Sequence, residues 1–164
     1  GAHMAAAVVR YGHFKRILIC TDFSENADFA FDIAVEAVMR NVNSVFYVLH
    51  VFPEPGAQFW RGYIQDQDAE GVQEVANRQL EERLAAYRDR LPEGVLFEAA
   101  ARFGSPDQEV LAFAREQAID LIVLGHQGRG SVFFGNVASR VVKHADCPVM
   151  VVPLAFKKRL AAAR

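Results

Sequence analysis

Cysteine is scarce in this chain: Cys20 and Cys147 are the only two among 164 residues. Two thiols so far apart offer neither zinc-site spacing nor a disulfide framework. A reduced, cytoplasmic protein is the reading that follows. Positive charge is not in excess either. Eighteen Lys and Arg stand against 20 Asp and Glu, a formal net charge of −2, so the electrostatic footprint of a DNA- or RNA-binding protein is missing. No apolar run approaches the roughly 20 residues of a membrane span. There is no internal repeat and no low-complexity linker. His50, His126 and His144 never fall three or four residues from one another, which argues against a metal site. Ser131 lacks the GxSxG elbow of a hydrolase, and no carboxylates pair at an expected strand end. No catalytic residue stands out.

What is present suits one globular domain. Apolar residues make up 52% and charged residues 23%, enough to bury a core at this length. Gly1 to Met4 reads as the remnant of a cleaved tag, and the apolar stretch Ala5 to Val9 is too short for a signal peptide. Residues 1–13 are therefore set aside as tag and extension, 14–154 as the domain, and 155–164 as a basic tail. Phe156 to Arg164 is expected to fray.

Hydrophobic periodicity divides the domain into alternating strands and helices. Phe14 to Cys20 predicts a strand covered on both faces. Ser24 then caps a helix whose buried stripe is Ala27, Ala30, Phe31, Ala34, Ala37 and Val38, with Asn41 and Asn43 at its exit. Ser44 to Phe52 is a second strand, rich in β-branched and aromatic residues. Phe59, Trp60 and Tyr63 lie in the connection that follows, where such residues fold back over the core. A long helix from about Asp66 to Arg90 carries Val72, Val75 or Ala76, Leu80, Leu84, Tyr87 and Leu91 on one face. Val95 to Arg102 is a third strand, weakened by its alanines. Ser105-Pro-Asp-Gln108 predicts a capped helix start with a capping box. Strand four is Leu121 to Leu124, a helix begins near Asn136, and strand five starts at Pro148. The order implies an α/β fold, an open doubly wound parallel sheet with helices on both faces. Ligands in such sheets bind beyond the strand C-termini at the switch point. Cys20 to Ser24, His50 to Phe52 and Gly125 to Asn136 would meet there.

The last of these carries the sharpest signal. Gly125, Gly128, Gly130 and Gly135 fall within eleven positions between a strand and a helix, a setting in which main-chain N–H groups converge on an anion. Two familiar phosphate motifs fail here. After Gly125 and Gly130 comes Ser131 rather than the lysine of a P-loop, and position 133 of the would-be GxGxxG is Phe. The first strand is followed by Cys-Thr-Asp-Phe-Ser, without a glycine, which speaks against a dinucleotide fold. Tight turns with positive φ are the alternative role for the cluster.

Three blocks, Lys-Arg-Ile-Leu-Ile-Cys-Thr-Asp-Phe-Ser, the strand ending Leu-His-Val, and Gly-Asn-Val-Ala-Ser-Arg-Val-Val-Lys-His-Ala-Asp-Cys-Pro-Val-Met-Val-Val-Pro, occur in the order and separation of the universal stress proteins. Over Lys15 to Pro153 the chain resembles the A-like branch of that family. The resemblance implies a Rossmann-like five-stranded sheet of order 3-2-1-4-5, of the adenine nucleotide alpha hydrolase-like type. It also implies a ligand, ATP or another adenine nucleotide, optionally with Mg2+. Nucleotide-binding members carry Gly-x2-Gly-x9-Gly-Ser/Thr. Here Gly125 and Gly128 supply the first half, but six residues separate Gly128 from Gly135, and Asn136 replaces the hydroxyl. Arg129 and Gly130 could compensate, Arg129 through its charge. Asp22 matches an acid at the adenosine end, Val51 a residue whose main chain meets adenine, and Cys20 a position where proline is common. Thr21, Leu124 and Val137 complete the implied set. Asp22 could equally be a turn carboxylate. In the family's sheet order strand four separates the two cysteines by roughly 9–10 Å, beyond disulfide reach, so two free thiols are expected. Val149, Met150, Val151 and Val152 form an apolar edge strand, and the resemblance implies a homodimer joined through it. It also implies a protein partner that the sequence does not specify.

Overall fold

Strands that are apolar on both sides need helices above and below them, and the fold supplies both. The computed structural model describes residues 13–38, 43–52, 69–126 and 134–163. Within them run β1 (Arg16–Cys20), α1 (Glu25–Val38), β2 (Val45–Phe52), α2 (Ala69–Asp89), β3 (Leu96–Phe103), α3 (Pro106–Glu116), β4 (Leu121–His126), α4 (Phe134–His144), β5 (Val149–Pro153) and α5 (Leu154–Ala162). The sheet order is β3-β2-β1-β4-β5, and every neighbouring pair is parallel. This is the expected doubly wound, Rossmann-like arrangement.

Alternate residues of the central strands feed two cores. Ile17, Ile19, Phe46, Val48, Leu121 and Val123 face α1 and α2, meeting Phe31, Ala34, Leu80, Leu84 and Tyr87. Leu18, Cys20, Tyr47, Leu49, Ile122 and Leu124 face α3 and α4, meeting Val110, Phe113, Val137 and Val141. The strand N-termini are tied together by a carboxylate. Asp120 accepts the N–H groups of Lys15 and Arg16 at 3.1 and 2.9 Å, where regular β1 starts two residues after Phe14.

Two local expectations change. Ser105 precedes α3 with Pro106 in its first turn, yet its side chain does not cap the helix. Its hydroxyl instead donates to Asp107 Oδ1 at 2.7 Å, so the capping box is not formed. The tail does not fray. It forms α5, which buries Leu154, sets Phe156 against Phe29 with ring centroids 6.1 Å apart, and pairs Lys157 with Glu25 at 3.3 Å. Alanines and three consecutive basic residues make up most of that segment, and of its large apolar side chains Leu154 is buried, Phe156 packs on Phe29 and Leu160 stays exposed; so few covered side chains leave no periodicity to read. Phe59, Trp60, Tyr63 and Asn41 lie outside the described residues.

Candidate functional site

From β1 the chain winds outward through β2 to β3, then returns to wind the other way through β4 to β5. The crevice beyond the C-terminal ends of β1 and β4 is therefore the switch point. Ile19 pairs with Val123 and Cys20 with Leu49, so continuing that register sets Thr21 level with Gly125, and Val51 lies two residues beyond Leu49. The three expected strand ends converge.

The side chains there are mostly spent on the fold. Cys20, Val51, Leu124 and Val137 are buried in the α3–α4 core, so only their main-chain groups could meet a ligand. Burial also pushes the Cys20 thiol well above its ordinary pKa, which removes thiolate chemistry; both cysteines are free, as expected. Thr21 is 3% exposed; its main-chain N–H donates to the Leu49 carbonyl at 2.9 Å. Asp22 is half-buried. Its Oδ1 accepts the Ser24 N–H at 3.0 Å and the Ser24 hydroxyl, while Ser24 Oγ accepts the Ala27 N–H at 3.3 Å. The acid is thus a turn carboxylate that orders the cap of α1, and among the described residues its Oδ2 accepts no hydrogen bond.

Gly125 is a glycine for a reason other than turn geometry. Its φ is not in the left-handed region, but a Cβ there would lie 2.6 Å from the Asn26 carbonyl oxygen and 3.1 Å from the Ala27 nitrogen. Bare backbone lets β4 end flush against the first turn of α1. Gly135 and Asn136 sit in the first turn of α4, with Asn136 exposed. That helix begins two residues before the expected start, and its last turn holds Lys143 and His144, where the Lys143 charge favours the dipole. Gly128, Arg129, Gly130 and Ser131 lie outside the described residues.

Phe23, His50 and Phe52, in segments expected to meet here, form with Phe103 a row of rings that sequence reasoning did not foresee. Phe23 adopts φ +64°, a conformation costing a bulky residue about 1–3 kcal/mol. Its ring lies 4.8 Å from that of His50, which lies 4.3 Å from Phe52, which stacks on Phe103 at 5.4 Å. The Arg83 guanidinium covers the outer face of Phe23 at 5.0 Å. A positive φ outside glycine leaves no sequence signal, so this row was not legible. His50 acts as a hydrogen-bonding residue near the end of β2. Its Nδ1 is 2.7 Å from the Thr21 carbonyl, and since a carbonyl only accepts, Nδ1 carries the proton and neutral Nε2 faces away.

Burial lowers the His50 pKa below 6.5, outweighing the Thr21 bond and the Asp22 charge, which raise it. The unfolded chain therefore takes up this proton first. Stability falls as pH drops through about 6.5 and the deficit grows until the folded ring protonates. In chemical denaturation, the loss between pH 7 and pH 5.5 is expected to be smaller in His50→Gln than in the parent. An identical loss in both would assign the acid sensitivity to other groups.

Among the described residues no group of three or more His, Cys, Asp or Glu could hold a metal ion, and no helix is long and apolar enough to cross a membrane. A universal stress protein of Methanocaldococcus jannaschii, MJ0531, is 30% identical over 162 residues, covering 89% of this chain and 87% of that protein. The solved structure of hypothetical protein MJ0577 superposes with a TM-score of 0.65 at 23% identity, covering 86% of this chain and 96% of the other. An Arabidopsis thaliana universal stress protein family member, At3g01520, solved with AMP bound, superposes at 0.56 with 20% identity, covering 85% and 91%. At these identities the two structures speak for the fold. The model of the universal stress protein family matches residues 13–153, β1 through the last residue of β5, and the chain belongs to that family.

Proposed function

We propose that this protein binds an adenine nucleotide, ATP or a relative of it, in the crevice between β1 and β4, and acts in stress-response signalling as a cytoplasmic homodimer joined through β5. The observation that carries the reading is the convergence, at one switch point, of the turn Cys20–Ser24, the end of β2 at Val51, Gly125 and the N-terminus of α4. The N–H groups at the start of α4 suit a ligand with an anionic end, and the strand ends beside them suit a heterocycle. The N–H groups of the first turn of α4, around Gly135, Asn136 and Val137, would take the phosphates, with Arg129 and the backbone of Gly128 and Gly130 beside them. Asp22 and the main chain of Thr21 and Val51 would take the adenosine. The described residues form no cage for Mg2+, so that ion would arrive on the phosphates. AMP in the Arabidopsis relative supports the ligand class. A dimeric scaffold that binds no nucleotide, working through a protein partner, is the competing reading, and the six-residue spacing between Gly128 and Gly135 favours it.

The test is direct. Purified protein is denatured and the supernatant chromatographed for adenine nucleotides, and stripped, refolded protein is titrated with Mg-ATP by calorimetry. Bound nucleotide or a saturating heat is the expected result; neither would leave the scaffold reading. Gly135→Val, which puts a branched side chain among the first-turn N–H groups of α4, is expected to weaken ATP by about tenfold, and full affinity would remove α4 from the site.

A further inference from the structure

The turn between β1 and α1 forms one wall of the crevice, and its shape depends on a hydroxyl supplied by α2. The Phe23 N–H donates to Thr21 Oγ1 at 2.9 Å. Thr21 Oγ1 lies 3.0 Å from Tyr87 Oη, and Tyr87 Oη donates to Asp28 Oδ1. Because the single proton of Tyr87 goes to Asp28, Thr21 must donate to Tyr87. Each hydroxyl then gives one hydrogen bond and accepts one, and the chain of donors runs in a single direction from Phe23 to Asp28. Thr21 and Tyr87 are each 3% exposed, so water does not replace a lost member. Arg90 secures the far end: its guanidinium lies 5.6 Å from the centre of the Tyr87 ring and pairs with Asp32. The residue at the near end is Phe23, whose left-handed backbone persists only where its surroundings dictate it.

We infer that Tyr87 is a positioning residue for the adenosine end of the bound nucleotide: acting through Thr21, its hydroxyl sets the strained turn that presents Asp22. The inference rests on the nucleotide reading above. It makes a distinction within that reading, because the relay ties α2 to the β1–α1 turn and does not touch α4, where the phosphates would lie. Loss of the Tyr87 hydroxyl should therefore weaken whatever contains adenosine and spare a bare polyphosphate.

Calorimetric titration with adenosine, ATP and inorganic triphosphate tests this on the parent, Tyr87→Phe, Thr21→Val and their double variant. Tyr47→Phe is the control, since that hydroxyl is also held inside the fold, by Arg16, but on the opposite face of the sheet. Tyr87→Phe is expected to weaken adenosine and ATP by the same factor, about tenfold, with triphosphate and Tyr47→Phe unchanged. Thr21→Val should do the same, and the double variant should lose no more than either alone. Equal weakening of triphosphate, or full affinity for adenosine, would overturn the inference while leaving nucleotide binding in place. A parent protein that binds none of the three would remove the nucleotide reading and this inference with it. Should Tyr87→Phe fail to fold, Thr21→Val carries the same comparison.

Discussion

Gly125→Ala is expected to cost about 2–3 kcal/mol of folding stability, although it adds a single methyl group. The added Cβ would stand 2.6 Å from the Asn26 carbonyl oxygen and 2.8 Å from its carbon. Both obstacles are backbone, and neither can rotate away. Relief requires either β4 to bend at its last residues or α1 to lift at its first turn. Lifting α1 pulls on Asn26 and Ala27, which are buried, and on the Ser24 cap. Urea denaturation with an unchanged slope and a lowered midpoint is the expected readout. A loss below about 0.5 kcal/mol would show that the β4–α1 junction yields more readily than its geometry implies. Nucleotide affinity in the folded fraction should also fall, since the same displacement opens the crevice.

A comparably large effect is expected at the far edge of the sheet. The Ile122 N–H donates to the Pro148 carbonyl at 3.0 Å, and Ile122 pairs with Val149. In a parallel ladder the inward groups then belong to Pro148, Met150 and Val152, and those of Val149 and Val151 point outward. Val152 is buried in the α1–α2 core and its main-chain groups face β4, so the outward edge is carried by Val149 and Val151; Val149, Met150 and Val151 remain half-buried. Val151→Pro removes an outward donor while leaving the bonds to β4 in place, a substitution that edge strands tolerate. A two-fold axis doubles every change, so the proposed dimer should weaken by about 3 kcal/mol, roughly 100-fold in dissociation constant. Sedimentation velocity across a concentration series reads this out. A parent that is monomeric at micromolar concentration, or a variant that dimerises as well as the parent, would rule out pairing through β5.

Sheet order and helix placement were legible because the strands are long apolar runs and the helices carry clear stripes. Leu80, Leu84 and Tyr87 were read together as one buried face of α2, and they are buried together. The purpose of Tyr87 was hidden in that success. Periodicity reports which side chains turn inward, and it is silent on a hydroxyl that reaches Thr21 from 66 positions away in sequence. Asp22 was read with two alternatives, and the turn role is the one its Ser24 bonds display. Gly125 was noticed for its place in a glycine cluster, whereas its requirement comes from Asn26, a residue with no sequence relation to that cluster. Helix α5 escaped notice because Leu154, Phe156 and Leu160, set among lysines, arginine and alanines, give no pattern until Phe29 is known to be waiting for one of them.

The direction of β5 has a consequence for how the proposed dimer could engage others. Antiparallel pairing of one β5 with its twin makes a continuous ten-stranded sheet in which the two halves run opposite ways. The two crevices then open at opposite rims, offset along the sheet by four strand spacings, about 19 Å. Two separate partners could each read one crevice without colliding. A single compact partner could not cover both, so such a dimer is a bridge between two listeners rather than a doubled grip on one.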